Sequence, residues 1–265
     1  MKIKEFMKLF ESQYPTSLAF DGDNVGLLVG DRNDEITKVL VTCDVDMAVV
    51  EEAIEVGANL IVSHHPLMFH GLNRLNEQNP EQRTIRLMIQ NGISLYAAHT
   101  NLDTGTGGLN DLMASMLGME NTEVVDVVAT DDRGVHGYGR MCTLEEATTM
   151  QELMDKVISV FDADGLKYTG ELDNKVEKLA VNTGGGAGIL EECIKAGCDI
   201  FITGDVKYNG YRDALDMGMK IIDIMHFDSE KISKVWFKTW FSENLPDIKV
   251  IKSCANVNVV KMYGR

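Results

Sequence analysis

The chain has no apolar run approaching the roughly 20 residues that cross a bilayer. Its opening, Met1-Lys2-Ile3-Lys4-Glu5-Phe6, lacks the continuous apolar stretch of a signal peptide. A cytoplasmic protein with no membrane partner is expected. The five cysteines (Cys43, Cys142, Cys193, Cys198, Cys254) form no Cys-x-x-Cys pair, and their odd number and scatter argue against a disulfide framework. They read as reduced core residues. Cations are scarce: 25 Lys and Arg stand against 41 Asp and Glu, a net charge of −16. Counterion release, which drives non-specific nucleic-acid binding, therefore has little to act through, and DNA or RNA is not expected as a primary ligand. No linker rich in Pro, Gly or Ser divides the sequence. What is present is a 265-residue chain, 45% hydrophobic and 25% charged, able to bury one large core or two modest ones.

An internal repeat organises that material. Residues 49–63 (VVEEAIEVGANLIVS) align with residues 189–203 (ILEECIKAGCDIFIT) at an offset of 140, with Glu51/Glu191, Glu52/Glu192, Ile54/Ile194 and Gly57/Gly197 identical. Each copy has apolar residues at helical spacing, a glycine suited to a left-handed C-cap, and then an apolar strand. Lys38-Val39-Leu40-Val41 and Lys178-Leu179-Ala180-Val181 supply a preceding strand, again 140 apart. The likeness resumes where 91–98 matches 217–225 at an offset of 126 or 127. Helices are expected over Gln82–Gln90 and about Tyr208–Met217, with a strand over Val135–Met141. The capping box Thr149-Met150-Gln151-Glu152 opens a further helix through Val160. A helix over Asp228–Glu243 and a strand over Asn256–Met262 close the chain. The alternation predicts an α/β fold of two duplicated, intimately joined halves with mixed sheets covered by helices. The expected boundaries are 1–125 with 236–265 for one domain and 126–235 for the other.

Of six histidines, four fall just past the ends of these strands: His64 and His65, His99, and His226. Ligands of open α/β sheets bind beyond the carboxyl ends of strands, where loops converge without disturbing the core. His99-Thr100-Asn101-Leu102-Asp103 and His226-Phe227-Asp228-Ser229-Glu230 occupy equivalent places in the repeat, and each reads as an imidazole, three residues, then a carboxylate. Imidazole and carboxylate together suit zinc, iron or manganese, and a carboxylate can bridge two cations. Adjacent His64 and His65 can both be ligands only if the strand ends there, and Pro66 ends it. A two-metal centre in the crevice between the halves follows, and hydrolysis is the chemistry such a centre best supports. His70 and His136 lack comparable partners and read as surface or supporting residues. The loop Thr183-Gly184-Gly185-Gly186-Ala187-Gly188 could offer amides to a phosphate. It lacks the Lys and Ser/Thr of a P-loop, so a tight strand-to-helix turn is favoured. Asp205 approaches the same end of the second half and reads as a support for a ligand.

Taken in order, Asp23-Asn24-Val25-Gly26-Leu27, Ser63-His64-His65-Pro66-Leu67-Met68-Phe69, His99 to Asp103, Thr203-Gly204-Asp205 and His226 to Glu230 resemble the NIF-three-like family of dinuclear metal-binding proteins. That resemblance spans nearly the whole chain. It implies two interlocked α/β domains, a toroidal homohexamer and the label type 2 homologue of GTP cyclohydrolase I. It also implies a ligand set: His65 and Asp103 on one divalent ion, His64 and His226 on the other, Glu230 bridging, and His99 lining the site as a candidate acid–base. Two departures stand out. Met225 occupies a place where a glycine is common, and Asn209 one where a histidine is frequent. The function these readings support is metal-dependent hydrolysis of a nucleotide-like or small phosphorylated molecule. A non-catalytic, ring-shaped scaffold is the alternative, told apart by whether chelation disassembles the protein.

Overall fold

The structure, a computed structural model, describes residues 1–76 and 78–263. In chain order the elements are α1 (Ile3–Gln13), β1 (Gly26–Val29), β2 (Lys38–Thr42), α2 (Met47–Val56), β3 (Leu60–Ser63), α3 (Pro80–Gln90), β4 (Ser94–Ala97), α4 (Thr100–Thr104) and α5 (Leu109–Met116). Then come β5 (Glu123–Asp131), β6 (Gly134–Thr149), α6 (Met150–Phe161), β7 (Lys167–Tyr168), β8 (Lys175–Val181), α7 (Leu190–Lys195), β9 (Ile200–Thr203), α8 (Tyr208–Asp216), β10 (Lys220–Asp223), α9 (His226–Glu230), α10 (Ser233–Asn244) and β11 (Lys249–Lys252). Two compact units result: Met1–Leu102 with Ser233–Val257, and Asp103–Ile232 with the chain from Asn258 onward.

The first unit holds a five-stranded sheet in the order β1-β4-β3-β2-β11, parallel except for β1. Strand alternation sends Leu40, Ile61 and Leu95 to one face, where they pack with Val49, Val50 and Ala53 of α2 and Ile85 and Met88 of α3. Tyr96 points to the other face and meets Phe6 and Phe10 of α1 at centroid distances of 5.1 and 5.6 Å. Trp236, Trp240 and Phe241 of α10 complete that aromatic layer. The second unit holds a six-stranded mixed sheet in the order β5-β6-β8-β9-β10-β7. Its core gathers Ala180, Phe201 and Ile221 with Cys193 of α7 and Ala214 of α8.

The repeat read from sequence is present bond for bond. Val39↔Leu60 in the first sheet corresponds to Leu179↔Ile200 in the second, and Leu60↔Ser94 to Ile200↔Lys220. Gly57 and Gly197 take φ of 67° and 74° at the ends of α2 and α7. Both helices then close alike, with the amides of Ala58 and Cys198 donating to the carbonyls of Ala53 and Cys193 (2.8 and 3.1 Å). Even the ammonium groups match: Lys38 donates to the Val56 carbonyl, and Lys178 to that of Ala196. The capping box at Thr149 and Glu152 forms as expected.

Two expectations are corrected. The helix over Asp228–Glu243 is two helices, α9 and α10, because the chain leaves the second unit and enters the first between Ile232 and Ser233. The final strand is Lys249–Lys252, paired parallel to β2, whereas Asn256–Met262 is irregular, bends at Val259 and joins neither sheet. No helix among the described residues is long and apolar enough to cross a membrane.

Candidate metal centre

In the first unit, β3 ends at Ser63, and the amides of His64 and His65 still bond the carbonyls of Thr42 and Cys43 (3.1 and 2.9 Å). The Ser63 hydroxyl donates to the His65 carbonyl (2.7 Å), closing the turn that lets neighbouring imidazoles face the same way. His99 follows β4. The three rings form a triangle with centroids 5.0, 5.2 and 5.3 Å apart. One nitrogen from each lies within 4.8 Å of the others, so this cluster could hold a metal ion. His64 is buried, and His65 and His99 are partly so.

In the second unit, Asp103 is buried and accepts from the hydroxyl of Thr183 (3.2 Å), while Asn110 donates to its carbonyl (3.1 Å). Glu230, also buried, closes the short helix α9, and His226 opens it. Carboxylate oxygens of Asp103 and Glu230 lie within 4.8 Å of each other. Two buried carboxylates at that separation repel, and a shared cation reverses the sign of the interaction.

The loop Thr183–Gly188 explains how the carboxylate fits. Three of its amides are used internally: Thr183 donates to Asn110 Oδ1 (2.9 Å), Gly184 to Ser229 Oγ (2.8 Å) and Gly186 to Thr203 Oγ1 (2.9 Å). The loop is the tight turn favoured from sequence. Gly184 is required twice over, because φ is +60° and a Cβ there would lie 2.0 Å from Glu230 Oε1.

All four histidines are anchored in one manner. The Nδ1 of His64 donates to the Ala98 carbonyl (3.0 Å), and that of His65 to Asp44 Oδ1 (2.7 Å). The Nδ1 of His99 sits 2.9 Å from both oxygens of Asp23, and that of His226 2.9 Å from Asp205 Oδ2. An imidazole bonded this way carries its lone pair on Nε2, the arrangement carboxylates and carbonyls impose on metal-binding histidines. Nε2 of His226 lies 2.9 Å from Glu230 Oε2, a spacing that a proton on the ring or a metal ion between them would satisfy. His136 differs. Expected at the surface or in support without a carboxylate partner, it is buried, accepts from the Thr106 amide (3.0 Å) and bonds Asp131 (2.9 Å), so both nitrogens are occupied. His70 is exposed, as expected.

Burial works against the charged form of Asp23, but bonds from His99 and Thr100 and the nearby imidazole outweigh it and hold the carboxyl down at about 2. Asp44 and Asp23 were not assigned these roles from sequence. Asp44 stands just past β2, and Asp23 lies inside one of the motifs quoted above. Placement beyond a strand's carboxyl end was the only available signal for Asp44.

The turn before His226 is strained. Met225 adopts φ 71° and ψ 151°, a region that is essentially glycine's and costs about 1–3 kcal/mol for other residues. Its amide donates to Asp223 Oδ1 (2.9 Å). The buried Asp223 is fixed in turn by the Val206 amide (3.1 Å), the Tyr211 hydroxyl (2.5 Å) and the Lys167 ammonium (3.0 Å). Asp205, the partner of His226, also has a positive φ, 54°.

The family model for Duf34/NIF3 (NGG1p interacting factor 3) matches residues 1–258, and the chain belongs to that family. A Clostridium perfringens protein named GTP cyclohydrolase 1 type 2 homolog is 37% identical over 230 residues, covering 87% of each chain. One of the same name from Lactococcus lactis is 39% identical, covering 86% of each. Among solved structures, a Bacillus cereus protein related to NIF3 superposes with a TM-score of 0.91 at 25% identity over 99% of both chains. A Staphylococcus aureus protein gives 0.89 at 30% identity over the same share.

Proposed function

We propose that this chain is a metal-dependent hydrolase of a nucleotide-like or small phosphorylated substrate, built on two divalent cations. In this reading His65 and Asp103 hold one ion, His64 and His226 hold the other, and Glu230 bridges them. The observation that carries the proposal is the common anchoring of the four imidazoles through Nδ1, which turns Nε2 into the acceptor, for a metal ion in His64, His65 and His226 and for a proton in His99. The buried pair Asp103 and Glu230 supplies the negative charge that two cations need. Divalent ions there would polarise a phosphoryl or carbonyl oxygen and acidify a water. His99, oriented by Asp23 and outside the ligand set, is suited to moving a proton at Nε2, following the logic of a base held by a third group. The names of the relatives in Clostridium perfringens and Lactococcus lactis point toward purine nucleotides as the first substrates to try.

The test is metal analysis of protein purified without added metal, then turnover of GTP and a phosphoester panel with zinc, iron or manganese, beside a Glu230→Ala control. About two ions per chain, and turnover lost in the control, are expected. Metal-replete protein inert toward the whole panel overturns the hydrolase reading. Chelation that disassembles the protein, with no turnover under any cation, favours the scaffold instead.

A further inference from the structure

Apolar surface borders the imidazole cluster of the first unit and has no part in the ligand set. Two of the nine phenylalanines, Phe20 and Phe69, are exposed, at 62% and 55%, and both stand in loops that reach His99. The rings of Phe69 and His99 meet edge to face, with centroids 6.0 Å apart and planes at 82°. The Phe20 amide donates to Thr100 Oγ1 (2.8 Å), and the Thr100 hydroxyl donates to Asp23 Oδ2 (2.5 Å), the carboxylate that anchors His99. A single exposed phenyl is ordinary on a protein surface. Phe69 differs in touching the imidazole suited to moving a proton.

Both loops are pinned. Asn24 Nδ2 donates to the Met68 carbonyl (2.6 Å), which ties the stretch before β1 to the residue preceding Phe69. The Asp23 amide donates to the Phe20 carbonyl (2.9 Å), and Asp23 Oδ2 accepts from the Thr100 amide (3.2 Å). Pro66 restricts the backbone at the start of the turn that leads to Phe69. Phe69 thus keeps more than half its surface in water beside His99, although burying a phenyl favours folding.

The surroundings select what would cover it. A phenyl stacks on flat aromatic rings, and the contact is indifferent to which base supplies the ring. With a net charge of −16, the protein surface outside the cations repels a phosphate, so an uncharged ring contact is the affinity left to this position. A ring lying on Phe69 would be set beside His99.

We propose that Phe69 is a specificity-determining residue of the centre: it stacks a planar heteroaromatic ring of the substrate, a nucleobase in chemical class, next to His99. The proposal rests on the hydrolase reading for where the substrate lies, and it adds which part of the substrate is selected and by what.

The experiment compares two ligands that share a sugar phosphate, guanosine 5′-monophosphate and ribose 5-phosphate, by equilibrium titration of the full chain with the metal it is purified with. The parent should prefer the ligand that carries the base. Phe69→Leu should lower that preference about 10-fold, with ribose 5-phosphate affinity and circular dichroism unchanged. Phe69→Trp should keep or raise it. Equal affinity of the parent for the two ligands, or binding of neither, overturns the proposal, whether Phe69 is covered or lies out of the substrate's reach. So does a preference that Phe69→Leu leaves intact, or a loss that weakens both ligands alike. Binding is read rather than turnover. A protein that shows the preference and its loss in Phe69→Leu, yet hydrolyses nothing, therefore supports the stacking role while the hydrolase reading fails.

Discussion

The two units run the same strand, helix and strand program yet end it with different chemistry. Past β3 the first copy places His64 and His65, where the second has Gly204 and Asp205. Past β2 the first copy places Asp44, where the second has Gly184. The first unit thus concentrates imidazoles, fixing His65 and His99 with carboxylates and His64 with a backbone carbonyl. The second concentrates buried carboxylates and makes room for Glu230 with Gly184. A duplicated scaffold needed only changes at strand ends to specialise, because those positions lie outside the registers that hold each sheet together.

The asymmetry can be broken from either side, and the largest effect is expected from Glu230→Ala. It removes the buried acid of the second unit, and metal content per chain, read by elemental analysis, should fall by at least half. Metal content unchanged from the parent protein would rule out the bridging role proposed for it. Next comes Gly184→Ala, which forces a Cβ onto Glu230 and a residue with a side chain into φ +60°. A loss of about 2–3 kcal/mol is expected, read as a melting temperature lower by roughly 4–12 °C at 2–4 °C per kcal/mol. The matching change in the first unit, Asp44→Ala, should leave melting of the metal-free protein nearly unchanged and weaken metal binding about 10–100-fold. Equal melting losses in the two variants would erase the distinction.

Met225→Gly should raise stability by about 1 kcal/mol, since it relieves strain at φ 71°. At the equivalent position of the first unit, Ala98→Gly should instead cost about 0.5–1 kcal/mol. Denaturant midpoints of the two variants, moving in opposite directions, would confirm that only the second turn is strained. The smallest effect concerns acid. Because folding depresses the Asp23 carboxyl from 3.8 to about 2, its contribution is complete above pH 4 and is lost as pH falls through 2. The stability gap between the protein and Asp23→Asn should close over that window, and a gap constant with pH would contradict it.

Much of this was legible in advance. The offset of 140 predicted paired helices, glycine caps and strands because period and capping are local properties, and Gly57 and Gly197 took the expected left-handed turn. The histidines were legible because few residues compete for strand ends. The anchors were less so: Asp44 reaches His65 from 21 positions away, and Asp23 reaches His99 from 76. Such partners are chosen by strand order, which periodicity does not encode. The segment Asn256–Met262 misled for the opposite reason. Its alternation is real, but a strand exists only where an edge accepts it.

By itself the sequence determined the repeat, the sheet-forming runs and the residue types past each strand, since these depend on spacing and on the intrinsic chemistry of imidazole and carboxylate. Only the tertiary structure decided which oxygen holds each Nδ1, that Gly184 yields its space to Glu230, and that Met225 bears a conformation suited to glycine. Those are consequences of close packing between segments distant in the chain, where a single atom's width separates a fit from a clash.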